Sequence, residues 1–401
     1  MKKGYVPELR FPEFQNDVGW DIATVGSKAI KVGSGITPKG GDKNYKKSGR
    51  PFIRSQNIGW GHLILDDVAF IDDDTHSTFS STEIKVNDVL LNITGASIGR
   101  SAVADSDIQG GNVNQHVCII RTKKSELKPY FLNQYLLSSD GQKQIDSFQA
   151  GGNRQGLNFA QIRSFSFLLP SVKEQQKIVD CLSSFDSVIS LQTQKIDALQ
   201  QYKKGLMQKL FPAEGEITPS FRFPKFKKTG DWTSTTLGSL CSNISSGKDN
   251  FDINGKYNLY GSTGIIGKVN NYSYNGDFIL VARVGANAGT LTRANGKFGV
   301  TDNTLIISLR DLQYTNFIYY SLEKLSLNKL AFGSGQPLIT GSQLKKLIIC
   351  VPSAIEQQKI SDCLSSLDKL IATQTQKLAA LKTHKTGLMQ QLFPSMDEVN
   401  A

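Results

Sequence analysis

Apolar residues fall three and four apart at Ile178, Leu182, Phe185, Ile189, Ile196, Leu199, Leu206 and Leu210. That spacing draws one stripe along a helix, the seam of a coiled coil. The stripe returns as Ile360, Leu364, Leu367, Ile371, Leu378, Leu381, Leu388 and Leu392. Two seam positions are polar in each copy, Gln192 and Lys203 in the first, Gln374 and Lys385 in the second. Such residues cost stability but can fix register and partner choice. Each copy begins Pro-Ser, with Glu174 or Glu356 in the first turn to favour the positive end of the helix dipole. Each stops at Phe-Pro, where proline ends the helix. About 40 residues at ~1.5 Å each predict a rod of roughly 60 Å. A rod with one apolar stripe must pair. The natural mate is the other copy, antiparallel because a globular segment separates them, which relates the two halves by a pseudo-twofold. Alignment about the middle would set Gln192 against Lys385 and Gln374 against Lys203.

The two helices belong to a larger repeat. Between residues 170–212 and 352–394, 28 of 43 positions are identical, far above chance. A weaker echo at the front pairs Pro7-Glu-Leu-Arg-Phe-Pro-Glu-Phe14 with Pro219-Ser-Phe-Arg-Phe-Pro-Lys-Phe226. The same offset carries Trp20 onto Trp232, Gly26-Ser27 onto Gly238-Ser239, and Ser34-Gly35 onto Ser246-Gly247. Between these echoes the halves hardly resemble each other. A shared scaffold presenting two different surfaces produces this pattern. The expected layout is a globular domain over 1–169, a long helix over 170–212, a second domain over 213–351, a second helix over 352–394 and a tail over 395–401.

The globular segments carry short β-prone runs at 88–94, 116–121, 277–282 and 304–308, bounded by Gly, Asn and Asp. Residues 132–137 and 317–330 read as helical. The fold class expected is therefore α+β: two domains with mostly antiparallel sheets, joined by two long antiparallel helices.

Charge gives this layout a direction. The 401-residue chain has a net charge of +11, which favours a polyanionic partner. Five cysteines, Cys118, Cys181, Cys241, Cys350 and Cys363, contain no C-x-x-C pair, which fits a reduced cytoplasm better than a disulfide framework or a zinc site. No signal peptide and no membrane-spanning run is expected.

Basic and amide side chains cluster in glycine-rich loops. Lys39, Lys43, Lys46, Lys47, Lys248 and Lys256 are candidates for phosphate contacts. Arg50, Arg54, Gln56, Asn57, Arg100, Arg154 and Gln155 in the first segment are candidates for base reading, as are Arg283, Asn287, Arg293 and Gln336 in the second. Arginine suits guanine edges, and Gln or Asn suits adenine.

Catalytic motifs are missing. There is no phosphate-binding P-loop, no G-x-G-x-x-G after a strand, and no Pro-Pro for an amino-methyltransferase signature. No metal ligand set is expected, since His62, His76, His116 and His384 are scattered. Asp74 followed by Glu83-Ile-Lys85 could hold Mg²⁺ in a nuclease acting alone, although an acidic run is more simply a solvated turn. A coiled-coil adaptor without DNA contact is a further alternative.

The layout resembles the specificity subunit of type I restriction-modification enzymes. The resemblance rests on Gly35-Ile-Thr-Pro38, the run from Gly261 to Gly267, Gly285-Ala-Asn-Ala-Gly289, and the duplicated Pro-Ser-x-x-Glu-Gln-Gln-Lys-Ile helix starts. It implies a non-catalytic subunit in which two target recognition domains each read half of a split double-stranded DNA sequence. It also implies helices that space the domains and dock two methyltransferase subunits, with motor-nuclease subunits completing the complex. S-adenosylmethionine, ATP and Mg would then belong to those partners.

Overall fold

A computed structural model describes residues 5–149, 156–332 and 337–395, which divide into two compact units. Unit 1 comprises residues 1–191 with 378–401, and unit 2 comprises 192–377. Each unit holds one globular domain, the first part of the helix that follows it, and the last part of the other helix. The long helices run Val172–Leu210 and Ala354–Leu392.

In unit 1 the strands are β1 (Asp21–Thr24), β2 (Ala29–Ser34), β3 (Arg50–Ile53), β4 (Ala69–Ile71), β5 (Val89–Asn92), β6 (Ser101–Val103), β7 (Asn112–Val113), β8 (Val117–Thr122) and β9 (Ser166–Leu169). A four-stranded sheet has the order β2-β8-β5-β6, and a three-stranded sheet has the order β4-β3-β7. β1 pairs with β9, which delivers the chain to the first long helix. Strand β5 is buried along its whole length, so Val89, Leu90 and Leu91 pack on both faces of the sheet.

Unit 2 contains β10 (Thr233–Thr236), β11 (Cys241–Ser246), β12 (Tyr257–Gly261), β13 (Gly264–Val269), β14 (Tyr274–Ala282), β15 (Leu291–Val300), β16 (Thr304–Leu309) and β17 (Ile348–Val351). Its six-stranded sheet has the order β11-β16-β14-β15-β12-β13. The first four strands of that order repeat β2-β8-β5-β6 of unit 1, although the two sequences there have diverged. The expected helices form as Pro129–Leu137 and as Thr315–Leu325, the latter followed by a 3₁₀ turn at Leu327–Leu330.

The helix starts are anchored identically. In unit 1, Arg10 Nε and Nη2 donate to the two Glu174 oxygens at 2.8 and 2.9 Å, with both side chains buried. In unit 2, Arg222 donates to Glu356 at 2.8 and 2.6 Å. The next residue, Gln175 or Gln357, donates to the carbonyl of the preceding Pro170 or Pro352 at 2.9 Å. The Pro-Ser-x-x-Glu-Gln repeat is therefore a docking device for the arm that precedes each domain.

Every seam position of the two helices is buried or half-buried. The expected polar layers form differently, however. Gln192 Nε2 donates to Gln374 Oε1 and to its backbone oxygen, both at 3.0 Å. Lys203 instead reaches Asp368 at 2.8 Å and Glu323 at 3.1 Å, and Lys385 reaches Asp186 at 2.6 Å. A half-buried ammonium needs a carboxylate more than an amide, so the lysines turn to the flanking acids and each glutamine meets its own copy.

Each domain core is closed by the end of the helix from the other half of the chain. Met389, Leu392 and Phe393 join Trp20, Phe131 and Phe167 in unit 1. Met207, Leu210 and Phe211 join Trp232, Phe317 and Ile349 in unit 2. Phe393→Ala should therefore destabilise unit 1 by about 3–5 kcal/mol. Hydrogen exchange should show lost protection over β1–β9 with β10–β17 unaffected. Arg10→Met leaves the Glu174 carboxylate buried without its partner and should cost about 3–5 kcal/mol in chemical denaturation.

Candidate nucleic-acid interface

In unit 1 four chain segments meet at one end of the four-stranded sheet. Gly35 N donates to Asn114 O at 3.2 Å, Ile93 N to His116 O at 3.0 Å, and Leu157 N to Ile93 O at 2.9 Å. A Cβ on Gly35 would lie 1.6 Å from the Val113 carbonyl oxygen, so only glycine passes there. Side chains cross-link the surface. Thr94 Oγ1 and His116 Nδ1 share a 2.5 Å hydrogen bond, Gln115 meets His116 Nε2 at 3.1 Å, and Thr37 donates to Gln115.

Unit 2 builds the same junction from other residues. Gly247 N donates to Thr304 O at 3.1 Å, Arg283 N to Asn303 O at 2.9 Å, Ile339 N to Arg283 O at 2.8 Å, and Gly285 N to Pro337 O at 3.0 Å. A Cβ on Gly247 would lie 2.0 Å from the Val300 carbonyl oxygen. After β5 and after β14 the chain makes the same turn, Gly95-Ala-Ser-Ile-Gly99 and Gly285-Ala-Asn-Ala-Gly289. All four glycines have φ between +73° and +93°. The backbone frame is common; the side chains it presents are not.

The structure sorts the predicted residues by what already occupies them. Asn57 is 1% exposed. Its amide donates to Ile64 O and Asp67 O at 2.9 Å, and its oxygen accepts from Arg54 N at 3.0 Å. It is a loop scaffold, and its reading as a base contact is corrected. Arg54 and Gln56 both bond Asp67, Arg50 bonds Asp73 and Gly110 O, and Arg293 bonds Asp277 and Asn316. These side chains are engaged by acids that sequence spacing did not place beside them. Arg100, Arg283 and Asn287 make no side-chain hydrogen bond or ion pair with the described residues. The Arg283 Nε is buried with no partner among the described residues. Lys39, Lys43, Lys47, Lys248 and Lys256 are exposed without ion pairs among those residues, whereas Lys46 lies 3.3 Å from Asp72. Arg154, Gln155 and Gln336 fall outside the described residues. Thr37, Gln115 and His116, left out of the candidate list, are brought together at the junction; the Gly35-Ile-Thr-Pro38 and Asn112–His116 loops were the signal for them.

The acidic run is put to structural use. Asp72 caps the helix Asp73–Ser77. Hydrogen bonds from the Thr75 side chain and backbone, followed by the Lys46 ammonium, bring its carboxyl down to about 2. Asp73 holds Arg50, and Glu83 faces His76 at 3.5 Å. Among the described residues no group of three or more His, Cys, Asp or Glu is placed to hold a metal ion. Burial pushes the Cys118 thiol up to about 12 and Cys241 up to about 11, which keeps both protonated and inert. No described helix is long and apolar enough to cross a membrane.

Asn57→Ala removes two donated bonds from a buried loop and should lower stability by about 1–3 kcal/mol in thermal melts. Asn287→Ala should leave stability unchanged, because that side chain holds nothing in place.

Comparison with known proteins fits this geometry. The family described as Type I restriction modification DNA specificity domain matches residues 21–201 and again 229–383. The MjaX specificity subunit of Methanocaldococcus jannaschii is 23% identical over 403 residues, covering 93% of this chain and 92% of that protein. The StySPI specificity subunit of Salmonella potsdam is 23% identical over 396 residues, covering 90% and 82%. The crystal structure of the type I S subunit of M. genitalium shares the fold, with a TM-score of 0.63 at 17% identity over 98% of this chain and all of that one. With the specificity domain matched twice and most of its length covered, the chain belongs to the specificity (S) subunits of type I restriction-modification systems, which supply DNA specificity and not catalysis.

Proposed function

We propose that the two junctions read the two halves of a split DNA target. The observation that carries this reading is the frame built twice with different side chains. Unit 1 presents Thr37, Thr94, Arg100, Gln115 and His116, and unit 2 presents Arg283, Asn287, Asp302 and Asn303. Different donors and acceptors on one backbone frame recognise different base edges. Lys39, Lys43, Lys47, Lys248 and Lys256 hold phosphates and set the salt dependence of binding.

The methyltransferase subunits, two per complex, dock on the long helices and bring S-adenosylmethionine. The motor-nuclease subunits add ATP and Mg. This chain, working with them in the cytoplasm, contributes position and no chemistry of its own.

Adenine methylome sequencing of a host expressing this chain with its methyltransferase should return a bipartite motif. Arg100→Ala should relax one position in one half of it, and Arg283→Ala one position in the other. Each should cost about 1–3 kcal/mol at the affected base pair. Motifs unchanged in both variants would remove these residues from base reading. Lys47→Ala should weaken binding evenly across sequences and lower the salt slope by about one.

A further inference from the structure

The edge of the unit 2 sheet carries large apolar side chains that the domain itself does not cover. β13 is the outermost strand. The segment over residues 249–256 runs beside it, with Asp252 N donating to Lys268 O and Lys256 N to Val269 O, both at 2.9 Å. Phe251 and Ile253 from that segment are 62% and 84% exposed. Ile265 and Ile266 at the tip of the β12–β13 hairpin are 56% and 48% exposed. An uncovered apolar edge is a liability unless something uses it.

The hairpin tip is shaped to hold these chains outward. Leu259 pairs with Gly267 and Tyr260 with Ile265, which leaves Ile266 as the extra residue of a bulge. A Cβ on Gly261 would meet the Ile266 side chain at 2.7 Å, and one on Gly267 would meet the Phe251 ring at 2.4 Å. The two glycines are the beds on which Ile266 and Phe251 lie. In unit 1 the four-stranded sheet ends at β6, and the matching antiparallel pair β3–β4, held by a parallel β3–β7 contact as β12 is held by β15, forms a separate sheet.

Charge selects the occupant. Lys248 and Lys256 are exposed and unpaired among the described residues, and Lys268 donates to Asn258 Oδ1 at 2.7 Å. The neighbouring carboxylates are already engaged within the domain. Asp249 accepts from Val300 N at 2.7 Å and from Ser273 at 2.5 Å, and Asp252 accepts from Asn254 N at 2.9 Å and from Asn270. An apolar edge whose bordering segment is flanked by the unpaired Lys248 and Lys256 suits a duplex. Aliphatic chains can enter between base pairs while the lysines hold the flanking phosphates.

We propose that Ile265 and Ile266, backed by Phe251, form a wedge that unstacks one base step of bound double-stranded DNA. The proposal rests on reading the chain as a DNA-specificity subunit. Pyrimidine–purine steps open most easily, so the wedge adds sequence preference at a step that no hydrogen bond reads.

The test uses the complex assembled with its methyltransferase subunits and target duplexes carrying 2-aminopurine at successive positions of the second half-site. Wild type should raise the emission at one step away from the methylated adenine. The Ile265→Ser/Ile266→Ser double variant should lose that rise and bind about tenfold more weakly. Both side chains are exposed, and the Ile265→Val/Ile266→Val variant serves as the folded control. A mismatch that opens the step in advance should return the double variant to within about twofold of wild type. Unchanged emission and affinity overturn the wedge, as does a loss that the mismatch does not rescue. Defective assembly with the methyltransferase before DNA is added assigns the surface to a protein partner and also overturns it. If the wild-type complex shows no sequence preference at all, the parent reading fails and not the wedge alone.

Discussion

An apolar stripe along a 39-residue helix cannot stay in water, and its burial governs how the rest of this chain closes. The stripe of one long helix packs on the stripe of the other. The last turns of each helix then supply the missing wall of the domain in the other half of the chain. Phe393 lies 5.3 Å from Phe131, ring centroid to centroid, and Phe211 lies 5.4 Å from Phe317. Neither domain has a complete core made only from the residues that precede its own helix. The buried Arg10–Glu174 and Arg222–Glu356 pairs then fix how each arm enters, since a carboxylate at 1% exposure is tolerable only with its guanidinium in place.

The same economy appears at the two junctions. The junction loops are held by backbone hydrogen bonds and by glycines that no other residue can replace, so their shape does not depend on the side chains they display. Those side chains are free to differ. In unit 1 they form a hydrogen-bonded group around His116, whereas in unit 2 the Arg283 side chain has no partner among the described residues. A stable frame with interchangeable side chains lets one fold present two unrelated surfaces.

Lys203 shows how burial and pairing compete within the seam. Burial works against its charge, but hydrogen bonds and attraction from Asp368 and Glu323 more than offset that, and its pKa rises above the ordinary lysine value. The helix pair therefore keeps Lys203 charged inside the contact without placing it against a glutamine. The glutamines meet each other because an amide can satisfy an amide with no charge to neutralise.

Local pattern determined much of this protein. Periodicity of three and four located both long helices, identity between residues 170–212 and 352–394 exposed the duplication, and β-prone runs located strands β5, β8, β14 and β16. These features are written in neighbouring residues, which is why they could be read without coordinates. The shared strand order of the two domains was not legible, because a sheet order needs only apolar residues in register and tolerates almost any of them. The fates of Arg50, Arg54, Gln56 and Asn57 were decided by Asp67 and Asp73, which fold back on them from 10 to 23 residues away. Whether an arginine is free for DNA depends on which carboxylate the tertiary fold brings within reach, and chain spacing carries no record of that distance.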